Sequence, residues 1–258
     1  RRPPRSTLFP YTTLFRSEIV QQLPNDLTKL RRFFSRWTRR GEVRACYEAS
    51  GAGYVLHREI TAWGVHCDVI APSLIPTRPG QRRKFDRYDA TQLGRLYRAG
   101  ELTPIRIPSP AEERVRDLVR CRQCFQREIL RSRHYILKFL RRRDFIFRDA
   151  CHWGQAHRKW LQRLLKPGSL APEDRAVFAE YLALLDYKTS RRDDLDEQIE
   201  TVAFSASYKP LVQRLTCFRG TSTLAAMTLV SEIGDWRRFE RPSQLMAFLG
   251  LVLSEDSS

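Results

Sequence analysis

The chain has 258 residues, a formal net charge of +17 and 42% hydrophobic residues. This length allows one large or two smaller domains with a buried core, and so basic a balance is typical of proteins that bind a polyanion such as nucleic acid. No apolar run approaches the roughly 20 residues that a membrane-spanning helix needs, so we expect no membrane partner.

The first 17 residues are similar to an in-frame translation of a common sequencing adapter, and they contribute four of the arginines. We interpret residues 1–17 as adapter-derived rather than native, the alternative being a genuine proline-rich basic arm. On this interpretation the native chain starts near Glu18, inside a domain, and is cut again at Ser258.

Hydrophobic periodicity predicts alternating helices and strands in the N-terminal part of the chain. In order, the pattern predicts a helix over residues 27–37, a strand over 43–48, a helix over 54–63, a strand over 65–70, a helix starting at Asp86 and a short strand over 105–107. Strands that alternate with helices indicate an α/β sheet whose strands are mostly parallel.

Three carboxylates are placed where a metal site is expected. Glu48 ends the first predicted strand, and Asp86 and Asp89 are one helical turn apart at the start of a helix. Ligands gather at the carboxyl ends of strands in open α/β sheets, and Mg²⁺ prefers oxygen ligands. We therefore predict that these carboxylates lie within about 10 Å of one another and bind Mg²⁺. The alternative is an exposed strand end and a helix N-terminus that satisfies its dipole.

A long helix is predicted over residues 111–143, which contain no glycine or proline. Its apolar residues keep near-heptad spacing, and nearly all the charge on its other faces is positive. We predict a track for nucleic-acid phosphates, which supply affinity without sequence information; a solvated helix face is the alternative. The predicted contacts are Arg120, Arg127, Arg131, Arg133 and Lys138.

The C-terminal part is predicted to be helical. A second long helix starts at Pro172 and favours a helical hairpin or a dimeric coil, and two further helices end at Gly234 and Gly250. Residues 218–222 resemble a helix-hairpin-helix turn around Gly220, whose backbone N–H groups can bind a phosphate, although Ser222 stands where that motif prefers glycine.

The six cysteines have no disulfide-framework spacing, which favours a reducing cytoplasm. Cys121 and Cys124 have a zinc-like spacing. The close pair is not repeated and lies within a helical pattern, so we expect no zinc site there.

Six sequence blocks, taken together, resemble the insertion-sequence transposases of the one-ten type, which are also called bridge recombinases. The blocks are residues 47–51, 70–74, 86–90, 100–104, 232–239 and 249–258. The resemblance implies an α/β plus α fold: an RNase-H-like (RuvC-like) domain over 18–109, a long helical coiled coil over 110–205 and a small helical C-terminal domain over 206–258.

The resemblance also implies site residues. The family's Asp-Glu-Asp-Asp metal set would place its glutamate on Glu48 and its two later aspartates on Asp86 and Asp89, with the first aspartate upstream of Glu18. The family's nucleophilic serine falls on Ser258, with Ser257 as the alternative. That serine would attack a DNA phosphate and form a covalent link in a Mg²⁺-dependent reaction.

For partners, the family implies DNA, a structured guide RNA and a homo-oligomer, either a dimer or a tetramer. Because the first aspartate is missing, we expect the chain as it stands to be inactive. Two other functions remain open: a non-catalytic basic helical module that binds nucleic acid, and a RuvC-like junction nuclease that uses only the carboxylates.

Overall fold

The computed structural model describes residues 22–51, 53–76 and 86–251, without the side chains of residues 86–88. The chain divides into two compact units, one ending at Ile107 and the other beginning at Pro108. None of the described helices is long and apolar enough to cross a membrane. The predictions for residues 1–17, Ser257 and Ser258 fall outside the described residues.

The first unit contains a small parallel sheet with helices. Its elements are α1 (Leu27–Thr38), β1 (Arg44–Glu48), α2 (Val55–Ala62), β2 (His66–Ile70), a 3₁₀ turn (Pro72–Leu74) and α3 (Asp86–Ala99). Asp26 caps α1, since its carboxylate accepts hydrogen bonds from the backbone N–H groups of Thr28 at 2.8 Å and Lys29 at 3.0 Å. The predicted helices and the two longer strands are confirmed here.

The two strands are adjacent and parallel, as predicted. Arg44 lies opposite His66 and Glu48 opposite Ile70, so both strands end at the same edge of the sheet. The crossover between them is α2, which buries Ile60 against Val65 and Cys67. This β–α–β connection is the usual way to join parallel strands, because a tight turn cannot do it.

The short strand predicted over residues 105–107 is wrong. The chain makes only one isolated antiparallel bridge there, between Ile70 and Pro104, and the N–H of Ile105 donates to the carbonyl of Val69 at 2.8 Å. Pro104 and Pro108 have no N–H to continue a ladder. Because the described sheet has two strands, the RNase-H-like assignment stays a prediction.

The second unit is helical throughout its described residues. Its elements are α4 (Pro110–Arg141), α5 (Gln155–Leu164), α6 (Pro172–Ala203), α7 (Lys209–Thr216), α8 (Thr223–Ile233), a 3₁₀ turn (Trp236–Arg238) and α9 (Pro242–Phe248). The sequence pattern predicted α4, α6, α8 and α9 but not α5 or α7. Both are short, and no side chain caps their N-termini, so tertiary packing rather than local signals stabilises them.

The helices α4 and α6 form an antiparallel pair within one chain. Near one end the guanidinium of Arg143 binds the carboxylate of Asp174, and further along Arg122 Nε donates to Asp196 Oδ1 at 2.6 Å. Residues late in α4 thus contact residues early in α6, and residues earlier in α4 contact residues late in α6, so the two helices are antiparallel. This confirms the hairpin that the sequence of the second long helix favoured, whereas the coiled-coil description stays a prediction.

The C-terminal helices share a core with this pair. Val119 of α4 and Ile199 of α6 are buried with Val212 of α7 and with Ala226 and Met227 of α8. Within the second unit, therefore, α7 and α8 share a core with the helical pair, and the predicted domain over 206–258 stays a prediction.

Phe178 is fully buried in the seam between α4 and α6, with its ring stacked on that of Phe139 at 6.2 Å between centroids. We expect Phe178→Ala to lower the free energy of unfolding by about 3–5 kcal/mol, because it removes buried apolar area and leaves a cavity. Urea denaturation followed by circular dichroism measures this. The neighbouring Val177 is 42% exposed, and a comparable loss for Val177→Ala would contradict the assignment of the seam.

Candidate metal centre and nucleic-acid interface

The predicted glutamate lies at the carboxyl edge of the two-stranded sheet. Glu48 is the last residue of β1, and its side chain is exposed. The next backbone N–H, that of Ala49, donates to the carbonyl of Ile70 at 2.8 Å, which keeps the ends of both strands together. This edge is the one at which ligands of open α/β sheets bind.

One end of α3 is attached to the middle of the sheet by Tyr97. The Tyr97 hydroxyl donates to Asp68 Oδ2 at 2.6 Å, and His66 Nε2 lies 3.0 Å from the same oxygen. The guanidinium of Arg44 lies over the Tyr97 ring, 5.7 Å from its centroid. No local sequence pattern predicts this contact, because Asp68 lies 29 residues before Tyr97.

This contact changes how both groups titrate. Burial alone would raise the pKa of Asp68, but the hydrogen bonds from Tyr97 and His66 and the charge of Arg44 outweigh it and hold that pKa below its ordinary value of 3.8. Burial and the hydrogen bond to Asp68 raise the pKa of Tyr97. Asp68 is therefore an anion that accepts and Tyr97 a neutral donor near neutral pH.

The direction of α3 follows from a second contact. Gln92 Nε2 donates to the carbonyl of Pro76 at 3.4 Å, and Pro76 comes after β2 has ended. The helix thus runs from the carboxyl side of the sheet back along the strands. Asp89, Leu93 and Tyr97 recur every four residues and share one face of α3.

Of the three predicted metal ligands, the structure describes the side chains of Glu48 and Asp89 but not that of Asp86. Within the described part of the chain, neither the Glu48 nor the Asp89 carboxylate has an ion-pair partner. Asp86 is the first residue of α3, and its side chain lies outside the described residues. In that same part no three His, Cys, Asp or Glu residues form a group that could hold a metal ion. The oxygen donors suit Mg²⁺, and their approach within about 10 Å stays a prediction.

The predicted phosphate contacts on α4 fall into two groups. Arg120 binds both carboxylate oxygens of Glu232, each at 2.7 Å. Arg131 binds Glu128 at 2.6 Å, and Arg133 is partly buried over the Trp153 ring at 5.2 Å. By contrast, Arg127 and Lys138 are exposed and have no ion-pair partner among the residues that the structure describes.

Neighbouring arginines of α4 also bind groups on other helices. Arg116 Nε donates to the carbonyl of Ser231 at 2.9 Å, and Arg122 is paired with Asp196. Arg116, Arg120 and Arg122 thus contact carbonyl or carboxylate oxygens of other helices, and the predicted phosphate track on α4 stays a prediction. The acids that neutralise it lie on α6 and α8, so the pattern of α4 alone could not reveal them.

The turn predicted around Gly220 does join two packed helices, α7 and α8. Gly220 has a φ of +87°, which only glycine adopts without strain. The N–H of Thr221 donates to the carbonyl of Phe218 at 3.1 Å, and the Ser222 hydroxyl caps α8 by accepting from the N–H of Ala225 at 3.2 Å. Binding of a phosphate at this turn stays a prediction.

We expect Tyr97→Phe to destabilise the first unit by about 1–2 kcal/mol, because it leaves the partly buried Asp68 carboxylate without its shortest hydrogen bond. Since the pKa of Asp68 is lowered in the folded state, this stabilisation is present above the unfolded pKa and is lost as the pH falls through the folded one. Unfolding in urea at pH 7 and near pH 3 should show the difference shrinking in acid. Tyr54→Phe is the control, because the Tyr54 hydroxyl has no described hydrogen-bond partner.

We expect the double change Arg127→Glu and Lys138→Glu to weaken duplex DNA binding for every sequence tested. Each lost phosphate contact should reduce the slope of log affinity against log salt by about 0.9. Arg133 stays unchanged in this variant because its reversal would also remove the contact with Trp153. The comparison is Arg32→Glu with Arg36→Glu, two exposed residues of α1, which makes the same total charge change. An unaltered slope in the Arg127 and Lys138 variant would assign both cations to solubility.

Comparison with known proteins finds similarity to transposases. Residues 212–258 match the transposase IS116/IS110/IS902 family. The chain is 36% identical over 222 residues to y4qE of Sinorhizobium fredii, a protein named as a transposase. The aligned residues are 84% of the chain and 51% of that relative. It is 31% identical over 235 residues to the transposase for insertion sequence element IS1533 of Leptospira borgpetersenii, covering 88% of the chain and 66% of that relative.

The chain thus spans about half the length of one curated relative and about two-thirds of the other. The matched stretches cover most of the chain and so include residues of both compact units. The family model and the two relatives agree, and they place the chain in the IS116/IS110/IS902 family of transposases.

Proposed function

We propose that the chain is part of a DNA transposase in which Glu48, Asp86 and Asp89 bind Mg²⁺ and a serine forms a covalent link to DNA. The observation that carries the proposal is its similarity, at 36% and 31% identity over most of its length, to proteins named as transposases. The strongly basic composition suits a partner with a phosphate backbone.

The geometry of the first unit supports the shared metal site. Glu48 lies four residues beyond Arg44, about 13 Å along the strand. Asp89 lies eight residues before Tyr97, about 12 Å along α3. Because the Arg44 guanidinium lies over the Tyr97 ring, a helix that runs opposite to the strand would carry Asp89 toward the end of the strand that holds Glu48.

The carboxylates would hold the ion through their oxygens, which are the ligands that Mg²⁺ prefers. When bound, Mg²⁺ stabilises the charge that develops on phosphate oxygens. The carboxylates of Glu48 and Asp89 have no ion-pair partner among the described residues and are therefore available as ligands. The Tyr97–Asp68 hydrogen bond helps to hold the helix that carries Asp86 and Asp89 against the sheet.

The covalent step would use Ser258, with Ser257 as the alternative. The serine Oγ would attack a DNA phosphorus and lose its hydroxyl proton to a base. A P–O bond of the DNA would break, and the departing DNA oxygen would take up a proton and leave as a free hydroxyl end. A serine hydroxyl needs such a base or a metal to become an effective nucleophile. Both serines lie outside the described residues, so their assignment rests on the family resemblance.

The remaining parts of the proposal concern partners. A structured guide RNA and a dimeric or tetrameric assembly rest on the family resemblance alone. A reducing cytoplasm fits the six cysteines, which are all free thiols. The two other functions, a nucleic-acid-binding module without catalysis and a junction nuclease without a serine step, differ from the transposase in whether DNA becomes covalently linked.

The test uses these residues in a protein extended to the length of the relatives. We expect Ser258→Ala to abolish a denaturation-resistant protein–DNA adduct while DNA binding stays within about twofold, because the hydroxyl reacts without contributing to phosphate affinity. Glu48→Gln should slow adduct formation by about 100-fold, the scale of losing one charge-stabilising group. Ser254→Ala, in the same segment, is the matched control and should react normally.

Each alternative gives a different result in that experiment. Loss of the adduct in Ser257→Ala rather than Ser258→Ala would make Ser257 the nucleophile. Adducts in both serine variants would end the serine mechanism. Cleavage that depends on Glu48 without any adduct would indicate the junction nuclease, and binding without cleavage or adduct would indicate the binding module.

A further inference from the structure

An open groove of about 500 Å³ lies on the outer surface of the helical pair, close to the end of α4. It is lined by two aromatic and three basic residues: Tyr135, Lys138, Arg141, Arg142 and Tyr181. No acid lines it. Lys138 is one of the predicted phosphate contacts, but neither tyrosine has a part in the function proposed above.

The two tyrosines form an exposed aromatic surface with a rigid base. Their ring centroids are 6.4 Å apart, and the ring planes are inclined by 28°. Tyr181 packs edge to face on the buried Phe139, with centroids 5.6 Å apart, so the core holds its ring in place. Tyr135 is 55% exposed and presents its ring beside that of Tyr181.

The cations of the groove are available, unlike most of those elsewhere on α4. Lys138 follows Tyr135 by one helical turn and Arg142 follows it by two, with Arg141 adjacent. All three are exposed, and none has an ion-pair partner in the described part of the chain. In contrast, the nearby Arg131 and Arg143 are paired with Glu128 and Asp174.

An exposed ring between unpaired cations matches the chemistry of an unpaired nucleotide. The face of a base can stack on an aromatic side chain while the flanking phosphates bind basic side chains. In a duplex both faces of each base are already stacked on neighbouring bases, so an aromatic side chain can stack on a base only after that base has left the duplex stack. Phosphate contacts alone would not need the tyrosines.

We infer that this groove binds unpaired nucleotides, with a base stacked on Tyr135 beside Tyr181 and the adjoining phosphates bound by Lys138, Arg141 and Arg142. The inference deepens the proposed function and rests on it, since it requires a nucleic-acid partner. Single-stranded DNA and an unpaired stretch of RNA offer the same base and phosphate chemistry, and the experiment distinguishes them.

The probes are fluorescent oligonucleotides of about 16 units, the upper end of the site size for single-strand binding modules: single-stranded DNA, RNA of the same sequence, and the DNA duplex. Binding to the 258-residue chain is measured by fluorescence anisotropy at one salt concentration. We expect Tyr135→Ala to weaken single-strand binding by roughly 5- to 150-fold, the range for losing one base-stacking contact. Duplex binding should stay within about twofold.

Two variants serve as controls. Tyr135→Phe keeps the ring and should bind single strands as the unaltered chain does. Tyr187 is 61% exposed on the same helical pair but lies outside the groove, and Tyr187→Ala should change nothing. Because Tyr135 is exposed on a helix and alanine favours helices, circular dichroism should show that Tyr135→Ala folds normally.

The outcomes separate this inference from the proposed function. Loss on RNA alone, or on DNA alone, supports the inference and assigns the strand. Unchanged single-strand binding in Tyr135→Ala, or an equal loss on the duplex, overturns it. A Tyr135→Ala protein that changes its sedimentation state instead would show a contact between copies of the chain and would also overturn it. Duplex binding without single-strand binding by the unaltered chain ends the inference but leaves the proposed function standing, and no binding at all ends both.

Discussion

The antiparallel contact between α4 and α6 decides how the second unit is built. Each helix has 32 residues, and their apolar stripes bury Ile136, Phe139 and Phe178 against one another. Most of the stability of a helix in a protein comes from packing its apolar face, so this seam contributes more than helix propensity to keeping both helices formed. Once the pair exists, α5 packs on one part of it and α7 and α8 on another. The surfaces proposed to bind nucleic acid are among those that this packing leaves exposed.

The basic residues of α4 fall into a paired group and an unpaired group. Arg120 and Arg122 meet carboxylates on other helices in two-oxygen contacts, and such contacts fix the orientation of the partner as well as adding energy. Arg127, Lys138, Arg141 and Arg142 have no such partners among the described residues. The cost of leaving like charges close together is small in water and is repaid when a phosphate backbone releases its counterions. The helix thus combines a structural stretch and a stretch suited to binding.

The first unit places its acids differently. A two-stranded parallel sheet ends both strands at one edge, where Glu48 is exposed, and α3 is tied to the sheet by the Tyr97–Asp68 hydrogen bond. That bond lies eight residues along α3 from Asp89, and it connects the helix that carries this proposed ligand to the sheet that carries Glu48. A metal site built on a strand end and a helix is more precise than one built on loops, provided that such a supporting contact holds the two together.

The sequence by itself determined the long helices, the two main strands and the family, because hydrophobic periodicity and ordered motif blocks are local and survive without knowledge of contacts. It also predicted the Gly220 turn, because residues 218–222 resemble a helix-hairpin-helix motif, and the positive φ found there suits glycine. Only the tertiary structure decided which arginines are paired, because Glu232 lies 112 residues from Arg120 along the chain. It likewise revealed that Pro104 leaves a single bridge instead of a third strand, and it brought Tyr135 next to Tyr181. Partners far apart in sequence meet only after the helices pack, so no pattern within one helix could have predicted these contacts.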